Sequence, residues 1–493
     1  MHTLLGPEGF RRGMDLYLAR HDGSAATTDD FVSAMEDGAG ADFARFRRWY
    51  SQAGTPVLHV EEDYDPKART WSLGVRQELP PPPNGSPTEP VHLPLAVGLV
   101  ARDGRILRPE PPPDRDPSED GTMVLDLREP EERFVFREVD APPVVSVLRG
   151  FSAPVRIAME RPDEDLVTLL THDPDPFARW DAGQTLALAR LDRLIEAGGA
   201  PGPGVEAADS TFVEAMRAVL RDRSIDGAFA AELLALPSEG YLADRMERID
   251  VDAVHDARQT LRRALGAALG REFREVRGQL RTRRPYRFDA DGMARRALSN
   301  ACLGYLAATE SPAARRECLD QFSAADNMTD SSAALGCLTR IDCEEREEAL
   351  ARFEERWRGE PLVMDKWLTL QATSPLPGTL ARVGELMSHP AFDADNPNRF
   401  RALVHAFCAG NPVRFHAADG SGYRFWEDRM REIDPRNPEV AAHLAGVMAQ
   451  WRRHDDARRD RMGAAMESVL AMPGLSRNTD EVLARILKAK TPG

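Results

Sequence analysis

The sequence of 493 residues contains little cysteine, and its five cysteines all lie in the second half of the chain. None of them forms a C-x-x-C pair, and an odd number at irregular spacing is not typical of a disulfide framework or a zinc knuckle. We therefore expect buried free thiols in a reducing compartment. The five are Cys302, Cys318, Cys337, Cys343 and Cys408.

Long apolar runs and an excess of positive charge are also missing. No apolar run approaches the roughly 18 residues that cross a bilayer. The first residues, "MHTLLGPEGF", lack the basic segment and following apolar segment of a secretory signal. We therefore predict a soluble cytoplasmic protein without a membrane partner. The formal net charge of -16 repels phosphate backbones, so nucleic acid is not an expected partner either.

What is present is an ordinary globular composition, with 42% hydrophobic and 29% charged residues. A length of about 150 residues per domain suggests roughly three domains. The spacing of apolar residues changes twice along the chain, which predicts domains at residues 1–54, 55–160 and 161–493. Together these patterns predict a multidomain α+β protein.

The first predicted domain is helical. Phe10, Met14, Tyr17 and Leu18 recur at the spacing of one helix face. An amphipathic stripe of this strength needs a surface to bury against, and no residues before it provide one. The stripe therefore resembles the middle of a domain rather than its beginning.

Residues 55–160 instead show a period of two, with short apolar runs separated by Pro, Gly and Asp turns. About six strands at this spacing predict a small β-sandwich. The strongest hairpin signal is "ARDGRI" at residues 101–106, a D-G turn between apolar residues. The proline runs "LPPPPNG" and "RPEPPPDRDP" are interpreted as surface loops between strands, where missing N–H donors do no harm.

Residues 161–493 are predicted to be almost entirely helical. In "ALSNACLGYLAA", for example, Leu298, Cys302, Tyr305 and Leu306 follow the spacing of one helix face. More than 300 residues of helices without a strand predict a large solenoid of helix pairs like HEAT or armadillo arrays. No fixed sequence period is visible, so the repeat would be structural only.

Residues 20–37, "RHDGSAATTDDFVSAMED", bring together a histidine, four aspartates and a glutamate. They could surround a metal ion or a catalytic water, or they could begin a helix. Thr27 and Asp30 have the spacing of a capping box, and acidic residues are favoured in a first helical turn. Asp29 and Asp30 point apart on such a helix, so we favour the structural interpretation. We interpret "DNMTD" at residues 326–330 as a helix cap for the same reason.

Long segments of the sequence also match a known pattern in the right order from end to end. The chain thereby resembles bacterial aminopeptidase N, a family of gluzincin zinc aminopeptidases. Its first segment resembles the end of the family's catalytic domain. The matching segments are "HTLLGPEGFRRGMDLYLARHDGSAATTDDFVSAMED", "FRRWYSQAGTPVLHV", "HLPLAVGL", "FSAPV", "FARWDA", "LSNACL", "DNMTD", "VMDKWLTLQATSP", "NPNRFRALVHAF", "NPVRFHAADGSGYRF" and "RNPEVAAHL".

The resemblance implies three parts. Residues 1–54 would be the C-terminal helices of a thermolysin-like domain, residues 55–160 an immunoglobulin-like (Ig-like) β-sandwich, and residues 161–493 a helical solenoid that caps the active site. Members of the family remove N-terminal residues from peptides with one zinc ion, held by the two histidines of H-E-x-x-H and a glutamate. This sequence contains no H-E-x-x-H. The resemblance therefore implies a C-terminal portion with no catalytic or metal-binding residues of its own.

The resemblance also implies two residues of the substrate cavity. Arginines of the family's solenoid face the substrate, and "NPNRFRAL" keeps one of them at Arg401. The second falls in "RNPEVAAHL", where this chain has His443. A histidine is shorter and mostly neutral at pH 7, so its contact with a peptide carbonyl or carboxylate would be weaker and pH-dependent. The alternative for both residues is a solvated position on a helix surface.

Two functions from different classes fit these observations. In the first, the chain is the C-terminal part of a zinc aminopeptidase, inactive until completed by the missing N-terminal catalytic half. In the second, it is a stand-alone, non-catalytic solenoid module that binds peptides or proteins. The first would leave the apolar stripe at residues 4–18 exposed in the isolated chain. We favour the first function. A separate hydrolase built on residues 20–37 is not favoured, because no convergent ligands and no nucleophile–base pair are evident.

Overall fold

The computed structural model describes residues 1–81, 88–110, 112, 117–202, 206–282 and 285–488. The two predicted proline loops lie partly outside these residues. Contacts divide the chain into two compact units, Met1–Leu186 and the residues from Ala187 onward. No helix in the described parts of the chain is both long enough and apolar enough to cross a membrane.

Two N-terminal helices, α1 (His2–His21) and α2 (Thr28–Ala39), pack against each other through glycines. A Cβ atom on Gly13 would lie 2.4 Å from the Met35 sulfur, and one on Gly38 would lie 2.7 Å from the Gly13 Cα. This close approach lets α2 cover part of the apolar stripe of α1. Phe10, Met14 and Tyr17 are only half-buried, and Leu18 is 51% exposed. The stripe is therefore only partly covered by the described residues of this chain.

In the part of the chain that the structure describes, eight strands follow and form two four-stranded sheets. One sheet has the order β6-β2-β1-β8, and in the other β3 pairs with β4, β5 and β7. Residues of both sheets share one apolar core, so the predicted β-sandwich is confirmed. The strands are β1 (Val57–Asp65), β2 (Thr70–Glu78), β3 (Leu93–Ala101), β4 (Ile106–Leu107), β5 (Met123–Leu127), β6 (Glu131–Phe136), β7 (Pro143–Val147) and β8 (Arg156–Ala158).

The predicted D-G hairpin connects β3 and β4. The Ala101 N–H donates to the Arg105 carbonyl at 2.8 Å, and Gly104 has a φ of +87°, a conformation that favours glycine. The segment before the sandwich packs on the same domain, because the Trp49 indole N–H donates to the His92 carbonyl at 2.9 Å. The first unit thus contains both the N-terminal helices and the sandwich.

The rest of the described chain is helical, which confirms the predicted solenoid. From α11 onward most helices pack on the next one or two along the chain, whereas α5 and α6 pack mainly on α9 and α10. A π-helical turn, Arg401–His405, lies between α16 and α17. The helices are α3 (Asp163–His172), α4 (Pro176–Glu196), α5 (Ser210–Arg221), α6 (Gly227–Leu233), α7 (Glu239–Arg245), α8 (Val251–Ala268), α9 (Gly270–Leu280), α10 (Ala290–Ala307), α11 (Pro312–Ala324), α12 (Met328–Leu338), α13 (Glu344–Trp357), α14 (Pro361–Ala372), α15 (Thr379–Leu386), α16 (Pro397–Phe400), α17 (Ala406–Gly410), α18 (Pro412–Phe415), α19 (Ser421–Ile433), α20 (Pro438–Ala445), α21 (Asp456–Leu470) and α22 (Arg477–Lys488).

Within the second unit, residues around the start of α21 contact residues around the start of α8, which lies much earlier in the sequence. The Ile249 N–H donates to the Arg453 carbonyl at 2.6 Å. The Arg458 guanidinium donates to Asp252 at 2.6 Å, across 206 positions of sequence. These contacts hold the late helices of the solenoid against its earlier ones.

The five cysteines are free, as expected. Cys302, Cys318 and Cys408 are buried, whereas Cys337 and Cys343 are only half-buried. The expectation of full burial is therefore wrong for these two. Cys337 packs against the apolar core of the solenoid on one side and lines a cavity at the end of α12 on the other.

Candidate functional site

Arg401 and His443, the two residues expected in a substrate cavity, both lie on the surface of the second unit. Arg401 begins the π-helical turn, and His443 lies in the last turn of α20. Single π-helical turns are rare in proteins overall, and those that occur are often found at functional sites. The side chain of Arg401 has no hydrogen bond or ion pair with the described part of the chain, so its five donor N–H groups face solvent or a ligand.

A third residue, His405, joins these two. Its ring stacks on the His443 ring with 4.7 Å between the centroids and 17° between the planes. His405 follows Arg401 by four positions, so helical spacing could have identified it from the sequence. The structure thus brings Arg401, His405 and His443 together, although α20 is separated from the π-helical turn by three intervening helices.

Electrostatics in this cluster favour an anionic or acceptor-rich ligand. Burial lowers the pKa of His405, and the nearby His443 and Arg401 lower that pKa further. His405 is therefore neutral near pH 7, and the permanent charge of the cluster resides on Arg401. Such a set of groups can donate hydrogen bonds to a carbonyl or carboxylate oxygen.

The acidic stretch at residues 20–37 is a helix start, as predicted. Thr27 accepts a hydrogen bond from the Asp30 N–H, and the Asp30 carboxylate accepts one from the Thr27 N–H at 2.9 Å, which completes the capping box. Arg47 pairs with Asp29 at 2.6 Å and with Glu36 at 2.7 Å. These acids therefore have structural partners within the same unit.

The second acidic motif, at residues 326–330, is also a cap. The Asn327 side chain begins α12 by accepting from the Asp330 N–H at 2.9 Å. Across the described ranges, no group of three or more His, Cys, Asp or Glu side chains has an arrangement that could hold a metal ion. Neither motif brings ligands together for metal chemistry.

Two family profiles together match most of the chain. One, described as "Domain of unknown function (DUF3458_C) ARM repeats", matches residues 163–488. The other, described as "Domain of unknown function (DUF3458) Ig-like fold", matches residues 54–160. These descriptions agree with the helical solenoid and the β-sandwich seen in the structure.

Curated relatives and solved structures agree with each other. The chain is 39% identical to aminopeptidase N of Escherichia coli (strain K12) over 487 residues, which cover 99% of this chain and 55% of that protein. It is 38% identical to aminopeptidase N of Caulobacter vibrioides, with 99% of this chain and 54% of that protein covered. The crystal structure of Legionella pneumophila aminopeptidase A in complex with aspartic acid is similar at a TM-score of 0.83 and 26% identity, with 99% of this chain and 55% of that one covered.

The chain spans about half the length of the curated relatives that it matches. It aligns with their C-terminal half. The match to the helical-repeat profile extends over more than half of the chain. The chain therefore belongs to the DUF3458_C family of ARM-repeat proteins and corresponds to the C-terminal half of aminopeptidase N.

Proposed function

We propose that this chain is the C-terminal part of a cytoplasmic zinc aminopeptidase that removes N-terminal residues from peptides. In this proposal, residues 1–54 end the catalytic domain, residues 55–160 form the Ig-like sandwich, and residues 161–493 form the solenoid lid over the active site. The observation that carries the proposal is the match to aminopeptidase N at 39% identity over 99% of this chain. The zinc, the catalytic residues and the peptide's N-terminus would be held by the N-terminal half of the enzyme.

The described side chains of this chain do not fit a resident zinc ion. Zinc sites in proteins use three or four Cys, His, Asp or Glu ligands that converge on one point. The residues that the structure describes contain no such group. We therefore assign to this chain the binding and enclosure of substrate, and no catalytic step.

Within the proposed enzyme, Arg401 is a substrate-binding residue. It is exposed and its guanidinium lacks a partner among the described residues, so it can donate to a carbonyl or to the C-terminal carboxylate of a peptide. His443 supplies a weaker donor beside it. The stacked ring of His405 limits the orientations of His443, which reduces the conformational entropy lost when a ligand binds.

The test compares the chain alone with a chimaera in which the N-terminal half of the Escherichia coli relative precedes Met1. The chain alone should bind no stoichiometric zinc and release no product from an alanyl chromogenic substrate. The chimaera should bind one zinc ion per molecule and hydrolyse the substrate. The N-terminal half expressed without this chain is the control.

Chelator-sensitive turnover by the chain alone would contradict the proposal. A chimaera that binds zinc but hydrolyses no faster than the N-terminal half alone would also contradict it, because the solenoid would then add nothing to catalysis. If the chain alone instead binds peptides with undiminished affinity while the chimaera stays inactive, the stand-alone binding module is the better description.

A further inference from the structure

A cavity of about 390 Å³ lies within the second unit and shares no lining residue with the Arg401 cluster. Its wall is formed by residues on α8 and α18 and by residues near or after the ends of α4, α10, α12 and α14. Cavities of this volume are large enough to hold a small organic ligand. We call it the arginine cavity, because four arginines but only two carboxylates line it among the described residues.

Three of the four arginines have partners. Arg263 pairs with Glu310 at 3.2 Å, and both are exposed. Arg262 and Arg414 donate to backbone carbonyls near or beyond helix ends, at 3.1 Å and 2.5 Å. Such contacts are typical of arginines near helix C-termini, so they need no ligand to explain them. The other carboxylate of the lining, Asp256, is exposed.

Arg340 is different, because its guanidinium has no hydrogen bond or ion pair with any described residue. Burial lowers the pKa of Arg340, and the nearby positive charges of Arg262 and Arg258 lower it further. Glu239 is the carboxylate that opposes this effect, and its side chain also contacts His255 at 2.9 Å. Arg340 and Arg258 therefore share the carboxylate of Glu239.

A second donor in the wall also lacks a partner, although it is enclosed rather than open to the cavity. Gln259 lines the cavity, and its side-chain amide nitrogen is buried without a hydrogen-bond partner. Its amide oxygen accepts from Arg262 at 3.3 Å. Water in the cavity could accept from Arg340, but water carries no charge and would not offset the excess of arginines over carboxylates in the lining. The missing component is an anion with acceptor oxygens.

We propose that the arginine cavity binds a small oxyanion, whose carboxylate or phosphate oxygens accept hydrogen bonds from Arg340 beside Arg262. Charge-assisted hydrogen bonds of this kind are about twice as strong as neutral ones. The guanidinium group matches the planar geometry of carboxylates and the oxygens of phosphate. This proposal is independent of the aminopeptidase function, because the cavity is formed by this chain alone and needs no catalytic half.

The test measures binding to the full chain by isothermal titration calorimetry, with inorganic phosphate, citrate, a dipeptide and the same dipeptide as its C-terminal amide as separate probes. At least one oxyanion probe should bind with a stoichiometry of one. Phosphate binding alone would assign a phosphate ligand, and citrate binding would assign a polycarboxylate. Binding of the dipeptide but not of its amide would assign a peptide C-terminus.

The variant Arg340→Gln should weaken this binding about tenfold or more, since it removes a charge-assisted hydrogen bond to the ligand. The matched control is Arg358→Gln, an exposed arginine outside the cavity, which should leave binding unchanged. Without ligand, Arg340→Gln should unfold at the same temperature as the unaltered chain or at a higher one, because it removes a repelled charge. A merely structural arginine would instead lower the unfolding temperature.

Cys337 offers an independent measure of occupancy, because it also lines the cavity. Because Cys337 lines the cavity, an alkylating reagent that enters the cavity when no ligand is bound should reach its thiol. A bound oxyanion should slow alkylation of Cys337 but not of Cys343, as read by peptide mass spectrometry. The proposal is overturned if no oxyanion probe binds, if Arg340→Gln binds with unchanged affinity, or if the bound probe leaves Cys337 unprotected.

Discussion

Arg149 in the first unit and Arg340 in the second both lie largely away from solvent, but their surroundings are opposite. Arg149 and Asp173 are almost completely buried and form an ion pair at 3.1 Å. Arg340 is half-buried, and after burial the strongest influence on its pKa is another arginine, Arg262. The Arg149 site thus encloses a charge together with its counter-charge, whereas Arg340 lies near like charges.

This difference separates charges that hold a fold together from charges that can hold a ligand. Removing one partner of a buried pair is strongly unfavourable, because the remaining charge loses its compensation. The Arg149 guanidinium also lies against Gly98. A Cβ atom added at Gly98 would lie 1.9 Å from the guanidinium carbon, so the guanidinium already fills that space. The Arg149 pair is thus built into the packing, whereas the arginine cavity leaves room beside Arg340.

The most direct way to break this comparison is Asp173→Asn. It leaves the buried charge of Arg149 without a counter-charge, so we expect the first unit to lose about 3–5 kcal/mol of unfolding free energy. Hydrogen exchange of the β3 amides, in the core of that unit, measures the loss. The control is Glu164→Gln in the exposed pair with Arg102, which should cost less than about 1 kcal/mol. Equal effects of the two substitutions would show that burial does not distinguish them.

A smaller effect concerns a pair of histidines in the second unit, His416 and His454, whose rings stack with centroids 4.3 Å apart. Burial lowers the pKa of His454 to about 4 and lowers the pKa of His416 well below its usual value. Both are neutral in the folded chain, whereas in the unfolded chain they take up protons near pH ~6.5. Stability should therefore be lost as the pH falls from about 6.5 toward 4, by at most about 1.4 kcal/mol per pH unit for each histidine.

The measurement for this pair is the slope of unfolding free energy against pH for the second unit. His454→Gln removes one of the two titrating rings and should make the slope shallower over that interval. The control is Leu362→Gln, a substitution at an exposed position of the same unit that removes no titrating group and should leave the slope unchanged. The same slope in the unaltered chain and in His454→Gln would mean that the buried ring is not responsible for acid sensitivity.

The smallest expected effect concerns Arg401, the exposed arginine without a partner among the described residues. In the chimaera, Arg401→Ala should raise KM for a peptide substrate about tenfold and leave kcat unchanged, since it removes binding that is equal in the ground and transition states. Arg358→Ala is the matched control and should change neither constant. A return of KM toward its original value in Arg401→Lys would point to charge, and an unchanged KM in Arg401→Ala would remove the residue from the site.

Local features of the fold were predictable from the sequence. The capping box of Thr27 and Asp30 and the hairpin turn at Gly104 depend on residues close to each other in the chain, so their spacing is visible in the sequence. The contact between α1 and α2 was not predicted, although Gly13 and Gly38 carry it. Glycine has no side chain, so a pattern of apolar residues does not show which helix face it packs. The apolar stripe of α1 consists of larger residues and therefore did not indicate this contact.

The candidate sites were only partly predictable. The resemblance to aminopeptidase N suggested Arg401 and His443 as site residues, which stays a prediction. The spacing of His405 from Arg401 was visible in the sequence, but its stacking on His443 of a later helix was not. The arginine cavity had no sequence signal at all. Its donors come from different helix pairs, and the absence of a fixed repeat period gave no rule for which helix ends meet.

The sequence by itself determined the order of helices and strands, the caps that begin several helices, and the family to which the chain belongs. These depend on periodicity and on contacts between near neighbours, which every chain carries in its linear order. Only the tertiary structure decided which enclosed charges are paired, because Arg149 meets Asp173 and Arg340 meets Arg262 through packing of separate segments. An arginine is the same letter in the sequence wherever it lies, but the electrostatic energy of its charge depends on the groups that the fold places around it.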